Sequence, residues 1–283
     1  MKKSIITLIA ISLIILITGC TSDFKVDENA VKEVSDKITE TIIETVGKEA
    51  VKKQESKTIS AGNLKKLNIK SVVGNINIET SDVEDAVISI DISGNSSSKE
   101  KTEQLIENFS YTAEKQFDSI VIDTSNRDGL IDNETIRTDL DISIPPNIET
   151  IVVSLNVGDV HIEKINGKFE IICDVGNINI NNSIGFYNLQ TDVGNIVLNN
   201  SAAIDRSDYS THTGDINLSL TDVTNAKTIT AKTDVGNIKV SIPENSSYEA
   251  IINEFLKDEK IETNGEGSTK FSLETSVGTI DFN

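Results

Sequence analysis

Asp208, Ser210 and His212 occupy alternate positions in the chain, and alternate positions on a strand face one way. An acid, a hydroxyl and an imidazole on one face could in principle form a hydrolytic triad. Residues two apart on a strand are nearly 7 Å apart, whereas activating a serine needs a hydrogen bond of about 3 Å. The spacing therefore supports an outward polar face, and no catalytic residue is assigned.

Asp174, Asp192 and Asp234 each stand one residue before a Val-Gly-Asn phrase, and His212 and Ser276 hold the same slot elsewhere. If these phrases stack about 4.8 Å apart, neighbouring carboxylates repel unless water or a cation lies between them. Calcium would suit such oxygen ligands. Calcium-binding β-helices use shorter rungs with denser aspartates, so turn-forming Asp and Asn is the reading adopted. The loop Thr124-Ser125-Asn126-Arg127-Asp128-Gly129 approaches a calcium-loop pattern. Thr124 replaces its first Asp and Thr135 its bidentate Glu, which leaves a polar loop. Gly265-x-Gly267 lacks the third glycine and the βαβ setting of a nucleotide loop. No metal and no cofactor are expected.

Composition narrows the partners. The chain has 283 residues, 26 Lys+Arg against 45 Asp+Glu, two Cys, no Trp, and a net charge of -19. Phosphate contacts need basic clusters, so nucleic acid is excluded as a partner. Aromatic residues make up only 4%, too few for stacking platforms under bases or sugars.

The N-terminus reads as an address. Met1-Lys2-Lys3 is followed by an apolar run from Ile5 to Ile17 and then by Thr18-Gly19-Cys20. The run is short for a membrane span, which takes roughly 20 residues, and it exits through small residues. The ending resembles the bacterial lipobox, which implies cleavage after residue 19 and lipid attachment at Cys20. Residues 1–19 are thus expected to be a signal peptide and 20–27 a lipid-anchored tether, with the membrane a partner through that lipid. Cys173 would then be the one remaining thiol, so no disulfide framework is expected.

From residue 28 to residue 56 an amphipathic helix or stalk is expected. Val31, Val34, Ile38, Ile42, Val46 and Ala50 recur at intervals of three and four. Its polar face is not the Lys/Arg-rich one of a helix lying in a membrane surface.

After Gln54 the period becomes two, and a phrase repeats. Val73-Gly74-Asn75-Ile76, Val157-Gly158-Asp159-Val160, Val175-Gly176-Asn177-Ile178, Val193-Gly194-Asn195-Ile196, Thr213-Gly214-Asp215-Ile216, Val235-Gly236-Asn237-Ile238 and Val277-Gly278-Thr279-Ile280 are its copies. From Gly158 onward the glycines are 18, 18, 20, 22 and 42 residues apart, and Gly74 precedes Gly158 by 84. The long gaps read as two and four rungs of 21. A unit this short cannot bury its own apolar face, so the copies must stack. The expected fold is all-β: a parallel β-solenoid over residues 57–283 with rungs of roughly 18–22 residues. Phe169, Ile171 and Cys173, and their counterparts in other rungs, should point inward. The inward set resumes after the glycine at Ile178 and Ile180, so each phrase must turn a corner. Two insertions, Glu103–Phe109 behind Ser97-Ser98-Lys99 and Ser246–Lys257, read as short helices that cover sheet or an end.

The series of Thr-x-Val-Gly-Asn/Asp-Ile phrases, with Leu140-Asp141-Ile142-Ser143-Ile144-Pro145-Pro146 before it and Phe271-Ser272-Leu273-Glu274-Thr275 near the end, resembles the bacterial putative-adhesin, β-strand-repeat family of unknown function. The resemblance covers roughly Thr58 to Asn283. It implies an extracytoplasmic solenoid linked to the cell envelope and its stress responses, and it brings no catalytic residues.

The expectation is a lipid-anchored, non-enzymatic surface module on the outer face of the cell membrane. A cationic peptide or an envelope protein is the partner its charge suggests. A carbohydrate-active β-helix enzyme and a passive spacer are the alternatives. The ends of a solenoid leave end-to-end association open.

Overall fold

The structure, a computed structural model, describes residues 51–283 apart from 132, 256, 258, 267 and 268. Cys20, the signal peptide and residues 28–50 lie outside the described residues. In chain order the first elements are β1 (Val51–Ile59), β2 (Lys66–Val73), β3 (Ile76–Thr80), β4 (Ala86–Asn95), α1 (Lys99–Asn108), β5 (Thr112–Gln116), β6 (Ser119–Asp123) and β7 (Thr135–Ile144). The regular run is β8 (Thr150–Val157), β9 (Val160–Glu163), β10 (Asn166–Val175), β11 (Ile178–Asn181), β12 (Ile184–Val193), β13 (Ile196–Ala203), β14 (Asp205–Thr213), β15 (Ile216–Asp222), β16 (Ala226–Val235) and β17 (Ile238–Ser241). The last four are β18 (Tyr248–Glu254), β19 (Lys260–Asn264), β20 (Thr269–Val277) and β21 (Ile280–Phe282).

The hydrogen-bond ladders make two long faces. One runs β5-β6-β2-β8-β10-β12-β14-β16-β20-β18-β19. The other runs β1-β4-β7-β3-β9-β11-β13-β15-β17-β21. Most neighbours are parallel, as a β-solenoid requires. Antiparallel pairs occur at the ends: β1–β4, β4–β7, β5–β6 and β18–β19.

The core lies between the faces and follows the alternation in the sequence. Phe169, Ile171 and Cys173 are buried from one face, Ile178 and Ile180 from the other. Each fully buried aliphatic contributes roughly 1.5–3 kcal/mol. Phe169 stacks on Tyr187 at 5.0 Å between ring centres, and Tyr187 meets Tyr209 at 6.0 Å.

The long glycine gaps do not hold whole rungs. Gly158 lies directly beside Gly74, and Gly278 directly beside Gly236. The intervening segments are excursions that fold back onto the ends. β6 and β7 stack on the far side of β2 and β3, and the β18–β19 hairpin lies beyond β20. Thr138-Asp139-Leu140, inside the continuous strand β7, lies in register with Gly74-Asn75-Ile76.

Of the two insertions, one is a helix. Ser98 caps α1 with φ -151°, its hydroxyl accepting the Lys101 N–H at 3.3 Å, and Thr102 and Ile106 are buried beneath it. Within Ser246–Lys257, expected as a helix, Tyr248–Glu254 is instead the strand β18. Its apolar residues fit either period, and the open edge of β20 selects the strand. Ala250 and Ile252 become buried, and Phe255 is left 66% exposed. Residues 51–56, expected as the end of a helix or stalk, belong to β1 instead.

Charges face inward on the edge strands. In β1, Lys57, Glu55 and Lys53 sit opposite Ile88, Ile90 and Ile92, and directly opposed residues share a face. In β19, Glu262 and Lys260 sit opposite Ala250 and Ile252 in the same way. Glu55 pairs with Lys53 at 2.6 Å, Glu262 pairs with Lys260, and the Tyr111 hydroxyl donates to Glu55. Inward charges deny an edge to a further strand.

Candidate functional site

Three internal ladders hold the corner that presents the outward slot. Each glycine passes so close to its predecessor that a Cβ on Gly194 would lie 2.0 Å from the Gly176 carbonyl oxygen, and Gly194 has φ +148°. No L side chain fits there. The residue after each glycine links rungs through its side chain. The Asp139 carboxylate accepts the Asn75 N–H at 2.7 Å, and Asn75 Oδ1 accepts the Asp159 N–H at 3.1 Å. Asp159, Asn177, Asn195, Asp215 and Asn237 continue the series to the Thr279 N–H. On the inner side, Thr191, Thr211, Thr233 and Thr275 donate to the glycine carbonyls of the preceding rungs at 2.8–3.0 Å. Cys173 does the same to Gly158 at 3.4 Å. Burial, helped by the charges of Asp159 and Asp174, pushes this thiol up to about 12, so it is an inert packing group.

Next to this rigid corner, the slot read from the sequence becomes a column on the outside. In-register pairing places Asn156, Asp174, Asp192, His212, Asp234 and Ser276 on successive strands. Asn156 Nδ2 donates to Asp174 at 2.6 Å. His212 Nδ1 lies 3.3 Å from Asp192, and its Nε2 4.0 Å from Asp234. The side chains of Asp192, His212 and Asp234 are 54%, 64% and 48% exposed, so the column is open to a partner. No group of His, Cys, Asp or Glu among the described residues is arranged to hold a metal ion.

The imidazole and the acid of the Asp208-Ser210-His212 series make other contacts. His212 is held by the two aspartates, and Asp208 is paired with Arg206 at 3.1 Å. The calcium-like loop does not converge on a point. Thr124 is buried in a hydroxyl cluster with Ser71 and Thr138, and Asn126 Oδ1 accepts the Asp128 N–H. The chain's three arginines all have partners within the protein. Arg137 is bidentate to Asp139, and Arg206 holds Asp208. Arg127 donates to the carbonyls of Thr124, Asn126 and Ile136, and burial lowers its guanidinium to about 10.

Sequence reasoning missed a largely polar groove of about 530 Å³ between α1 and the 126–131 loop, where Leu105, Phe109 and Ile131 alternate with Lys101, Arg127, Asp128 and Glu134. The signal was split between a helix and a loop with no shared motif.

A two-faced, mostly parallel β-solenoid with antiparallel strands towards its ends is the class this architecture defines. Over residues 40–283 the chain belongs to the Toastrack DUF4097 family. A crystal structure of a putative adhesin from Bacteroides fragilis is similar at 19% identity, with a TM-score of 0.50, covering 84% of this chain and 98% of that one. A structure described as a putative lipid binding protein, from Parabacteroides distasonis, is 13% identical over 82% of this chain and 94% of that one, with a TM-score of 0.42. Likeness at these identities shows the fold alone. No curated protein matches the chain. No helix among the described residues is long and apolar enough to cross a membrane.

Proposed function

We propose that the chain is a lipid-anchored, non-enzymatic module of the cell surface that holds a cationic partner against the outer face of its longer-stranded sheet. The column from Asn156 to Ser276 carries this reading. It presents exposed carboxylates at the strand repeat on a backbone locked by the corner ladders, in a protein of net charge -19. Such a grid suits a peptide or protein patch with spaced Lys or Arg. The anchor rests on the lipobox-like sequence ending at Cys20.

The test is binding of a labelled cationic amphipathic peptide at low salt and again at about 0.15 M, where charges are screened beyond roughly 8 Å. Retained affinity that is lost in Asp192→Lys/Asp234→Lys supports a shaped site. Binding that disappears at the higher salt leaves only a diffuse field and sinks the proposal. The anchor is tested separately: fatty-acid labelling of the native chain should vanish in Cys20→Ser.

A further inference from the structure

We infer that Phe117, at the tip of the β5–β6 hairpin, inserts into a lipid surface and seats the N-terminal end of the solenoid on it. Two features of this residue work against the free fold. Its ring is 98% exposed, whereas no other large apolar side chain among the described residues exceeds 66%. Its backbone has φ +54°, a region that bulky side chains avoid. Gln116 pairs with Ser119, so Phe117 and Asp118 are the two central residues of the turn, and only the first has positive φ. Such turns ordinarily carry glycine at that first position. The other described non-glycine residues at positive φ are Asn, Asp and one Lys. A phenylalanine held strained and in water adds nothing to this fold, and an outlier of that kind points to a use outside it.

Place and charge name the occupant. The outermost strands β1 and β5 form the N-terminal end, where the Tyr111 hydroxyl donates to Glu55 and Lys57 lies over the Tyr111 ring at 4.7 Å. The chain enters the solenoid at this end, through Val51. A lipid on Cys20 therefore tethers the solenoid by the end that carries Phe117, and the inference rests on that anchored reading. On β1 and the hairpin, Lys52, Lys53, Lys57 and Lys115 stand against Glu55, Glu114 and Asp118, in a chain of net charge -19. This end thus escapes the repulsion that the rest of so acidic a protein meets from anionic lipid. An aromatic ring with lysines beside it suits the headgroup layer.

Tryptophan reports the contact, because the chain has none of its own. The mature chain is coupled through Cys20 to a maleimide lipid in vesicles of phosphatidylcholine and phosphatidylglycerol. It is then tethered whether or not the cell acylates it, so failure here is distinct from failure of the anchor. Cys173 is buried and does not compete. Emission from Phe117→Trp should shift to the blue and be quenched by brominated lipid. Phe255→Trp, at another exposed aromatic beyond β18 on the far end, should show neither change. An unshifted Phe117→Trp, or equal quenching at the two positions, overturns the inference. Phe117→Gly separates insertion from folding. With Cys20→Ser and no tether, its partition into the same vesicles should fall about tenfold, in line with one buried phenylalanine. Its unfolding midpoint in urea should rise as the strain is relieved. Unchanged partition or a lower midpoint also overturns the inference, since the ring would then be idle or structural.

Discussion

Cys173 donates its thiol to the Gly158 carbonyl in the slot from which Thr191, one rung on, donates to Gly176. The cysteine is thus a substitute for threonine in a structural ladder. Cys173→Thr should match or exceed the parent in chemical denaturation, while Cys173→Val should lose about 1 kcal/mol, the worth of one buried hydrogen bond. The native thiol should resist alkylation at pH 8, because its pKa is pushed up to about 12.

Glycine is required at the corners for two reasons at once, positive φ and contact with the rung below. Gly194→Ala should cost about 3 kcal/mol or more, by strain and overlap. Gly129→Ala is the control. Gly129 also has positive φ, +82°, but a Cβ there meets nothing within 4 Å, so its loss should be about 1 kcal/mol. Equal losses in urea titrations would refute the role given to the glycine contacts.

His212 separates Asp192 from Asp234. His212→Asp would place a fourth carboxylate in the column after Asp174 and Asp192. Opposed like charges destabilise by roughly 0.2–1 kcal/mol per pair, and salt should recover much of that. A deficit unchanged between 0.05 and 1 M NaCl, figures on the order of the screening range, would mean that packing rather than charge was disturbed.

Much of this could be read from the amino-acid sequence. The corners, the inward slots and the outward column follow from a period of two interrupted at each glycine, because main-chain geometry alone imposes them. The excursions could not be read. Nothing in the spacing of Gly74 and Gly158 distinguishes four stacked rungs from neighbours separated by a loop-back, since both satisfy the same length. β18 looks helical in the sequence because Tyr248, Ile251, Ile252 and Phe255 satisfy a helical stripe. The edge of β20, an element distant in neither space nor sequence but invisible to periodicity, decides otherwise. The groove beside α1 was illegible because its walls come from two unrelated segments.

At the C-terminal end, Glu254 Oε1 accepts the Ile280 N–H at 2.7 Å and its other oxygen meets Lys257 at 2.5 Å. Burial pushes this carboxyl up, but those two interactions outweigh it and hold the pKa below the ordinary glutamate range. A lowered folded pKa means that the carboxylate's contribution is fully present above the unfolded value and fades as pH falls through the folded one. Stability should therefore decline on acidification below the ordinary glutamate range more steeply in the parent than in Glu254→Gln. Parallel melting curves for the two proteins down to about pH 3 would remove Glu254 from that account.

The inward charges on β19 predict a protein that does not add strands. Replacing Lys260 and Glu262 with threonine would give the hairpin a bare edge. Light scattering should show mass rising with concentration for the double variant and a constant monomer mass for the parent. An associating parent would contradict the role given to the β19 charges.

The strands β2 and β3 are the first rung in sequence, yet they lie between β6–β7 on one side and β8–β9 on the other. A chain appearing N-terminus first presents this rung with both sides bare, and neither side is fully paired until residues 144 and 163 have emerged. One-way zipping along the polypeptide is therefore closed to it. Assembly has to wait for a loop of tens of residues to close, and whatever guards the early strands during that interval shapes the yield of folded protein.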